Sequence, residues 1–169
     1  MGRESSPAAT DRPRVVIVGA GFGGLEAARA LAHAPVEVVV IDAKNHHTFQ
    51  PLLYQVATAA LSPAEIAWPI RHLLKGQANT RVLMSRVLSV DPIARQIVTD
   101  AGRVDYDQLV IAAGATHSYF GHQGWEGFAP GLKTLEDALA IRRRILSAFE
   151  HAELAGAGLA EGAATTFVV

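Results

Sequence analysis

The sequence predicts an α/β fold, with a central parallel sheet and a small antiparallel β-meander inserted into it. Three observations predict it. Two short β-branched runs, residues 15–18 and 36–41, flank a helix-forming stretch at the spacing of a parallel β–α–β crossover. Residues 81–106 change to brief strand-like runs separated by turn signals. A third apolar run, residues 109–112, then enters a glycine at 114, as the first run does at 19.

The elements follow in order. Val15, Val16, Ile17 and Val18 read as a strand buried on both faces. The turn Gly19, Ala20, Gly21, Phe22, Gly23, Gly24 opens a helix rich in Ala, Leu, Glu and Arg over residues 25–33, which Ala34 and Pro35 stop. Residues 36–41 form the second strand, ending at Asp42. Residues 46–61 are less regular but apolar, and Phe49, Leu53 and Tyr54 are expected to pack in the core. Ser62, Pro63 and Glu65 read as a capping box starting a helix that Pro69 interrupts and Gly76 ends. The meander is expected over 82–90, 96–99 and 103–106, with turns at Asp91-Pro92 and Ala101-Gly102. Thr134, with Asp137 behind it, caps a last helix, where Leu135, Leu139, Arg142 and Phe149 show the mixed faces of a helix that packs on one side. Residues 1–12 read as a disordered tail, 13–155 as one domain, 156–164 as a linker, and 165–169 as the first strand of a second domain, cut before its own turn.

Composition excludes several classes. Half of the 169 residues are hydrophobic and 18% are charged, so the chain can bury a core. The net charge is -1 and no long basic run exists, which gives no basis for nucleic-acid binding. There is no cysteine, hence no disulfide framework, thiolate metal site or redox cysteine pair. The histidines form no ligand set, so no metal is expected. No apolar stretch reaches the length of a membrane span, and residues 1–12 lack the apolar segment of a secretory signal, so the default location is cytoplasmic.

The chemistry centres on Gly19, Gly21 and Gly24, a GxGxxG between a predicted strand and a predicted helix. Gly19 allows the tight turn out of the strand, Gly21 lets backbone N–H groups approach a pyrophosphate, and Gly24 lets helix and strand pack closely. The helix dipole and the free N–H groups of its first turn then favour the anion. Asp42 follows at about the distance of 20 residues expected for a carboxylate on a ribose hydroxyl pair. A carboxylate there repels a 2′-phosphate, so NADP is disfavoured at this site. FAD and NAD remain open on the turn alone. Glu26 is either a flavin-type feature or an ordinary charge at a helix start.

The run Asp42-Ala43-Lys44-Asn45-His46-His47-Thr48-Phe49-Gln50-Pro51-Leu52-Leu53-Tyr54-Gln55-Val56-Ala57, followed by Leu61-Ser62-Pro63-Ala64-Glu65-Ile66-Ala67, resembles bacterial type II NADH:quinone oxidoreductases. The segment Tyr106-Asp107-Gln108-Leu109-Val110-Ile111-Ala112-Ala113-Gly114-Ala115 resembles the strand that flavoproteins of the wider pyridine nucleotide-disulfide oxidoreductase-like superfamily place beside FAD. The resemblance implies a Rossmann-like FAD-binding domain holding FAD non-covalently. Its cofactor residues would be the turn 19–24, Asp42, Ala43 and Lys44, Thr48, Pro51 and Leu52 along the flavin, Val87 at the adenine end through its backbone, and Ala113 and Gly114 close to the cofactor. No general acid or nucleophile is implied. In the family NADH gives a hydride to the flavin, which passes electrons to a quinone. The resemblance further implies peripheral attachment at the cytoplasmic face of a membrane through later segments, and leaves the oligomeric state and the choice of NADH or NADPH open. The chain alone is expected to lack the NADH site. The absence of cysteine argues against disulfide reductases and sulfide-oxidising relatives. Ferredoxin or rubredoxin reductases and a non-catalytic dinucleotide-binding module are the other readings.

Overall fold

The computed structural model describes residues 12–155 and 165–168. The expected tail over 1–12, apart from Arg12, and the linker over 156–164 lie outside the described residues. The chain divides into two compact units, one formed by residues 1–47 and 69–114, the other by 48–68 and 115–169. The domain expected over 13–155 spans both.

The first unit is built on a four-stranded parallel sheet. Strands β1 (Arg14–Val18), β2 (Glu37–Asp42), β5 (Thr80–Met84) and β9 (Gln108–Ile111) lie in the order β5-β2-β1-β9. β1 pairs Val18 with Ile41 of β2 on one side and with Ile111 of β9 on the other. Val15, Ile17, Val38 and Val40 face helix α1 (Phe22–Ala30), burying Leu25 and Ala28, while Val16, Val39 and Ile41 face the meander around Ile97. Burial on both faces explains why these strands read as unbroken β-branched runs.

The meander is β6 (Val87–Asp91), β7 (Gln96–Thr99) and β8 (Gly102–Asp105), paired antiparallel. The single strand expected over 82–90 is two. β5 stops at Met84, and Asp100 accepts hydrogen bonds from the Ser85 hydroxyl and from the Arg86 N–H at 3.0 Å, fastening the break between sheets. Those two bonds, from Ser85 first and then Arg86, hold the exposed Asp100 carboxyl below its usual range. Helix α1 also begins earlier than expected, at Phe22, because the glycines adopt helical geometry once Gly24 is packed against the strand.

Short strands β3 (His46–Thr48) and β4 (Ala67–Pro69) pair as a ribbon. The capping box at Ser62 forms, with Glu65 Oε2 accepting the Ser62 N–H at 2.7 Å. It starts only a 3₁₀ turn, Pro63–Glu65, and the helix expected there is α3 (Ile70–Leu73), which begins after Pro69. Proline biases its predecessor Trp68 to extended backbone, so β4 precedes the helix that Pro69 caps.

In the second unit, α2 (Leu53–Ala57) and α4 (Leu135–Ala155) enclose Leu53, Val56, Ala57, Ile66 and Ala138. Leu53 is buried as expected. Phe49, ahead of the 3₁₀ turn Gln50–Leu52, is instead 41% exposed, and Tyr54 is 55% exposed because the short helix turns only Leu53, Val56 and Ala57 inward. On α4 the packing stripe is Leu135, Ala138 and Ile141, and Phe149 lies exposed. The Thr134 cap is a full capping box: Asp137 N–H donates to Thr134 Oγ1 at 3.1 Å, and Thr134 N–H donates to Asp137 Oδ2 at 2.8 Å. Residues 165–168 form no strand, since a strand exists only where a neighbour pairs with it.

Candidate dinucleotide-binding turn

β2 lies on one side of β1 and β9 on the other, so the segments after β1 and β9 both start at the carboxyl ends of adjacent parallel strands, the end at which open α/β sheets hold ligands. The turn 19–24 follows β1, and Ala112, Ala113 and Gly114 follow β9.

Each glycine of the turn meets a different neighbour. Gly19 has φ +97°, and a Cβ there would run into the Ala112 carbonyl. A Cβ on Gly24 would run into the Gly19 carbonyl, with Ile17 Cγ2 at 3.5 Å beyond. Gly21 is the opposite case: it is exposed, and nothing lies within 4 Å of the place a Cβ would take. Its glycine therefore answers to no neighbour among the described residues.

Gly21 is also the N-cap of α1 and supplies no side-chain cap, and the first turn carries no acidic side chain. The N–H groups of a helix's first turn lack intrahelical partners, and they are the positive end of its dipole. Gly21, Phe22 and Gly23 are exposed there. A helix N-terminus of this kind can hold a phosphate-sized anion, and the residues present fit a bound diphosphate. Glu26 lies past the first turn and pairs with Arg29 at 2.6 Å on the exposed helix face.

Asp42, at the end of β2, is half-buried. Its Oδ2 accepts the Ala20 N–H at 2.7 Å, and its Oδ1 accepts the Lys44 N–H at 2.8 Å. The sequence assigned this carboxylate to a ribose, and the structure gives it a second task, holding the glycine turn. A carboxylate has about four lone-pair sites, so both tasks are compatible. Gly19 N–H donates to Ile41 O at 2.8 Å, and Ser85 N–H donates to Asp42 O at 2.8 Å, so the turn, Asp42 and the end of β5 form one hydrogen-bonded array. Ala43 is exposed beside it.

Of the other predicted residues, Val87 opens β6 three positions after Met84, the β5 partner of Asp42. Gly114 has φ +73° and, like Ala113, is exposed after β9. Thr48, Pro51 and Leu52 belong to the second unit, where Leu52 packs against the buried cluster and Pro51 is exposed.

One residue at the turn escaped sequence reasoning. His47 is 9% exposed, its Nδ1 lies 3.0 Å from the Ala20 carbonyl oxygen, and its ring meets that of Phe22 edge-on at 5.1 Å. The adjacent histidines invited only a metal test. Among the described residues no three His, Cys, Asp or Glu side chains group to hold a metal ion.

A family model described as pyridine nucleotide-disulphide oxidoreductase matches residues 13–160. The chain is 49% identical over 146 residues to type II NADH:quinone oxidoreductase Ndh of Mycobacterium tuberculosis, covering 84% of this chain and 32% of that protein. It is 48% identical over 162 residues to NdhA of the same organism, covering 94% and 34%. The structure of NDH2 from Plasmodium falciparum in complex with NADH superposes with a TM-score of 0.80 at 27% identity, covering 89% of this chain and 32% of that one. The chain thus spans about a third of the length of the relatives it matches.

Proposed function

The chain belongs to the pyridine nucleotide-disulphide oxidoreductase family, and on that premise we propose that it is the FAD-binding portion of a flavoprotein that passes electrons from NADH to a quinone. One observation carries the proposal: an exposed helix N-terminus without a side-chain cap, whose Gly21 meets no neighbour among the described residues, at the carboxyl end of β1. The names of the relatives, type II NADH:quinone oxidoreductases, support the donor and acceptor.

FAD, when bound, supplies the redox chemistry. The protein's part is orientation. Gly21 and Gly23, exposed at the start of α1, present backbone N–H groups to the diphosphate, while Gly19 and Gly24 shape the turn around them. Asp42 takes the ribose hydroxyls through the lone pairs that Ala20 and Lys44 leave, with Ala43 beside it. The backbone at Val87 lies toward the adenine end, and Ala113 and Gly114 let the loop after β9 approach the cofactor without side-chain bulk. Thr48, Pro51 and Leu52 remain flavin neighbours on the strength of the resemblance alone.

Attachment of the whole protein to the cytoplasmic face of a membrane belongs to the same proposal. Among the described residues, no helix is long and apolar enough to cross a bilayer.

The test is titration of the purified 169-residue chain with FAD, followed by flavin absorbance and fluorescence. Saturable binding is expected; folded chain that leaves the flavin spectrum untouched overturns the proposal. With FAD bound and a soluble quinone present, the chain alone is expected to show no steady-state NADH oxidation. Turnover comparable to that of a full-length relative would overturn that expectation.

A further inference from the structure

We infer that His47 is a positioning residue for the cradle: it aims the Gly21 N–H at the diphosphate. The inference rests on the FAD reading above.

A carbonyl oxygen can only accept, so a bond from His47 to Ala20 O at 3.0 Å requires the proton on Nδ1. The bond therefore fixes the ring's tautomer. The edge-on contact with Phe22 and the ring's burial fix its orientation.

The consequence runs through peptide geometry. The C=O of Ala20 and the N–H of Gly21 belong to one planar unit, and no cis bond occurs in the described chain. In a trans peptide these two groups point in opposite directions. Holding Ala20 O against His47 thus turns the Gly21 N–H away from the buried ring, to the exposed side of the turn.

The preceding peptide is held as well, because Ala20 N–H donates to Asp42 Oδ2 at 2.7 Å. Only the Ala20–Gly21 peptide would otherwise be free to rotate, since glycine accepts almost any φ. A flip there would present a carbonyl oxygen to the diphosphate in place of a donor. His47 blocks that flip, so the cradle is donor-lined before ligand arrives.

The test compares FAD affinity of the full 169-residue chain with that of H47A, H47N and H47Q. The side-chain nitrogen of Asn reaches the position of Nδ1, whereas that of Gln reaches the position of Nε2. H47A and H47Q are expected to bind FAD about 10- to 100-fold more weakly, the scale for losing one hydrogen bond to a charged group. H47N should stay within about threefold of wild type. H47A binding as tightly as wild type overturns the inference, and so does H47N weakened as far as H47Q, because His47 would then serve packing alone. Should H47A fail to fold, the Asn and Gln pair decides. Long-range ¹⁵N–¹H spectra should show His47 protonated at Nδ1; an Nε2–H tautomer overturns the inference. Wild-type chain that does not bind FAD brings down the FAD reading itself, a result distinct from either variant outcome.

Discussion

Gly21 and Gly24 share a motif but answer to different demands, and substitution separates them. Gly21 has φ −69° and ψ −166°, ordinary extended backbone for any residue, and open space where a Cβ would go. G21A should therefore fold with stability within about 0.5 kcal/mol of wild type, the range of neutral surface changes, yet lose FAD affinity because the methyl takes the diphosphate's place. G24A drives a Cβ into the Gly19 carbonyl, and it should cost about 1–3 kcal/mol of stability with or without ligand. Urea midpoints and FAD titration on both variants check the split, and equal stability losses would contradict it. The motif made all three glycines legible in the sequence. It also set Gly24, expected to pack helix on strand, apart from Gly21, expected to face the ligand; it did not carry that Gly24 packs on the Gly19 carbonyl and Gly19 on the Ala112 carbonyl after a distant strand. His47 was illegible for a related reason: its partner, Ala20, is 27 residues away and offers a backbone atom, which no residue-type pattern records.

Among the elements, the long helix α4 depends on its first turn. Burial acts to raise the Asp137 carboxyl; hydrogen bonds from the Thr134 side chain and from the Lys133 and Thr134 backbones, with His117 nearby, outweigh it and hold the group below its usual value of 3.8. A carboxyl lowered on folding adds stability above its unfolded pKa and loses it as pH falls through the folded one. D137A should therefore be less stable than wild type at neutral pH, and the difference should shrink only as pH falls below 3.8, through the lowered folded value. T134A should cost about 1 kcal/mol, measured by urea unfolding. Thr134 and Asp137 were readable because a capping box is local, four residues long. Ser62 to Glu65 carries the same signature but heads only a 3₁₀ turn, because Pro69 comes too soon for a full helix to follow. The strand expected over 82–90 failed similarly. Its residues all suit strands, and only the bonds from Ser85 and Arg86 to Asp100, made after the meander returns, break it in two.

For the whole molecule, a ligand that binds only folded chain must stabilise it. FAD at about 100 times its Kd should add about 2.7 kcal/mol to unfolding, visible as a rise of several degrees in the thermal midpoint. No shift under saturating FAD would count against the binding turn. The parallel sheet and the meander were both foreseeable, since β-branched runs and turn residues mark them locally. The division into two units was not, because residues 48–68 join residues 115–169 across a long separation in the chain. The order β5-β2-β1-β9 has a temporal corollary. β1 meets β2 after one short helix, but its other flank waits for β9, which emerges only after β5 and the meander. Pairings between such distant segments close slowly, since the intervening loop must first lose its freedom. During refolding, then, flavin capture should trail the recovery of helical signal: the strand that flanks β1 on its far side is the last piece of the sheet to be laid.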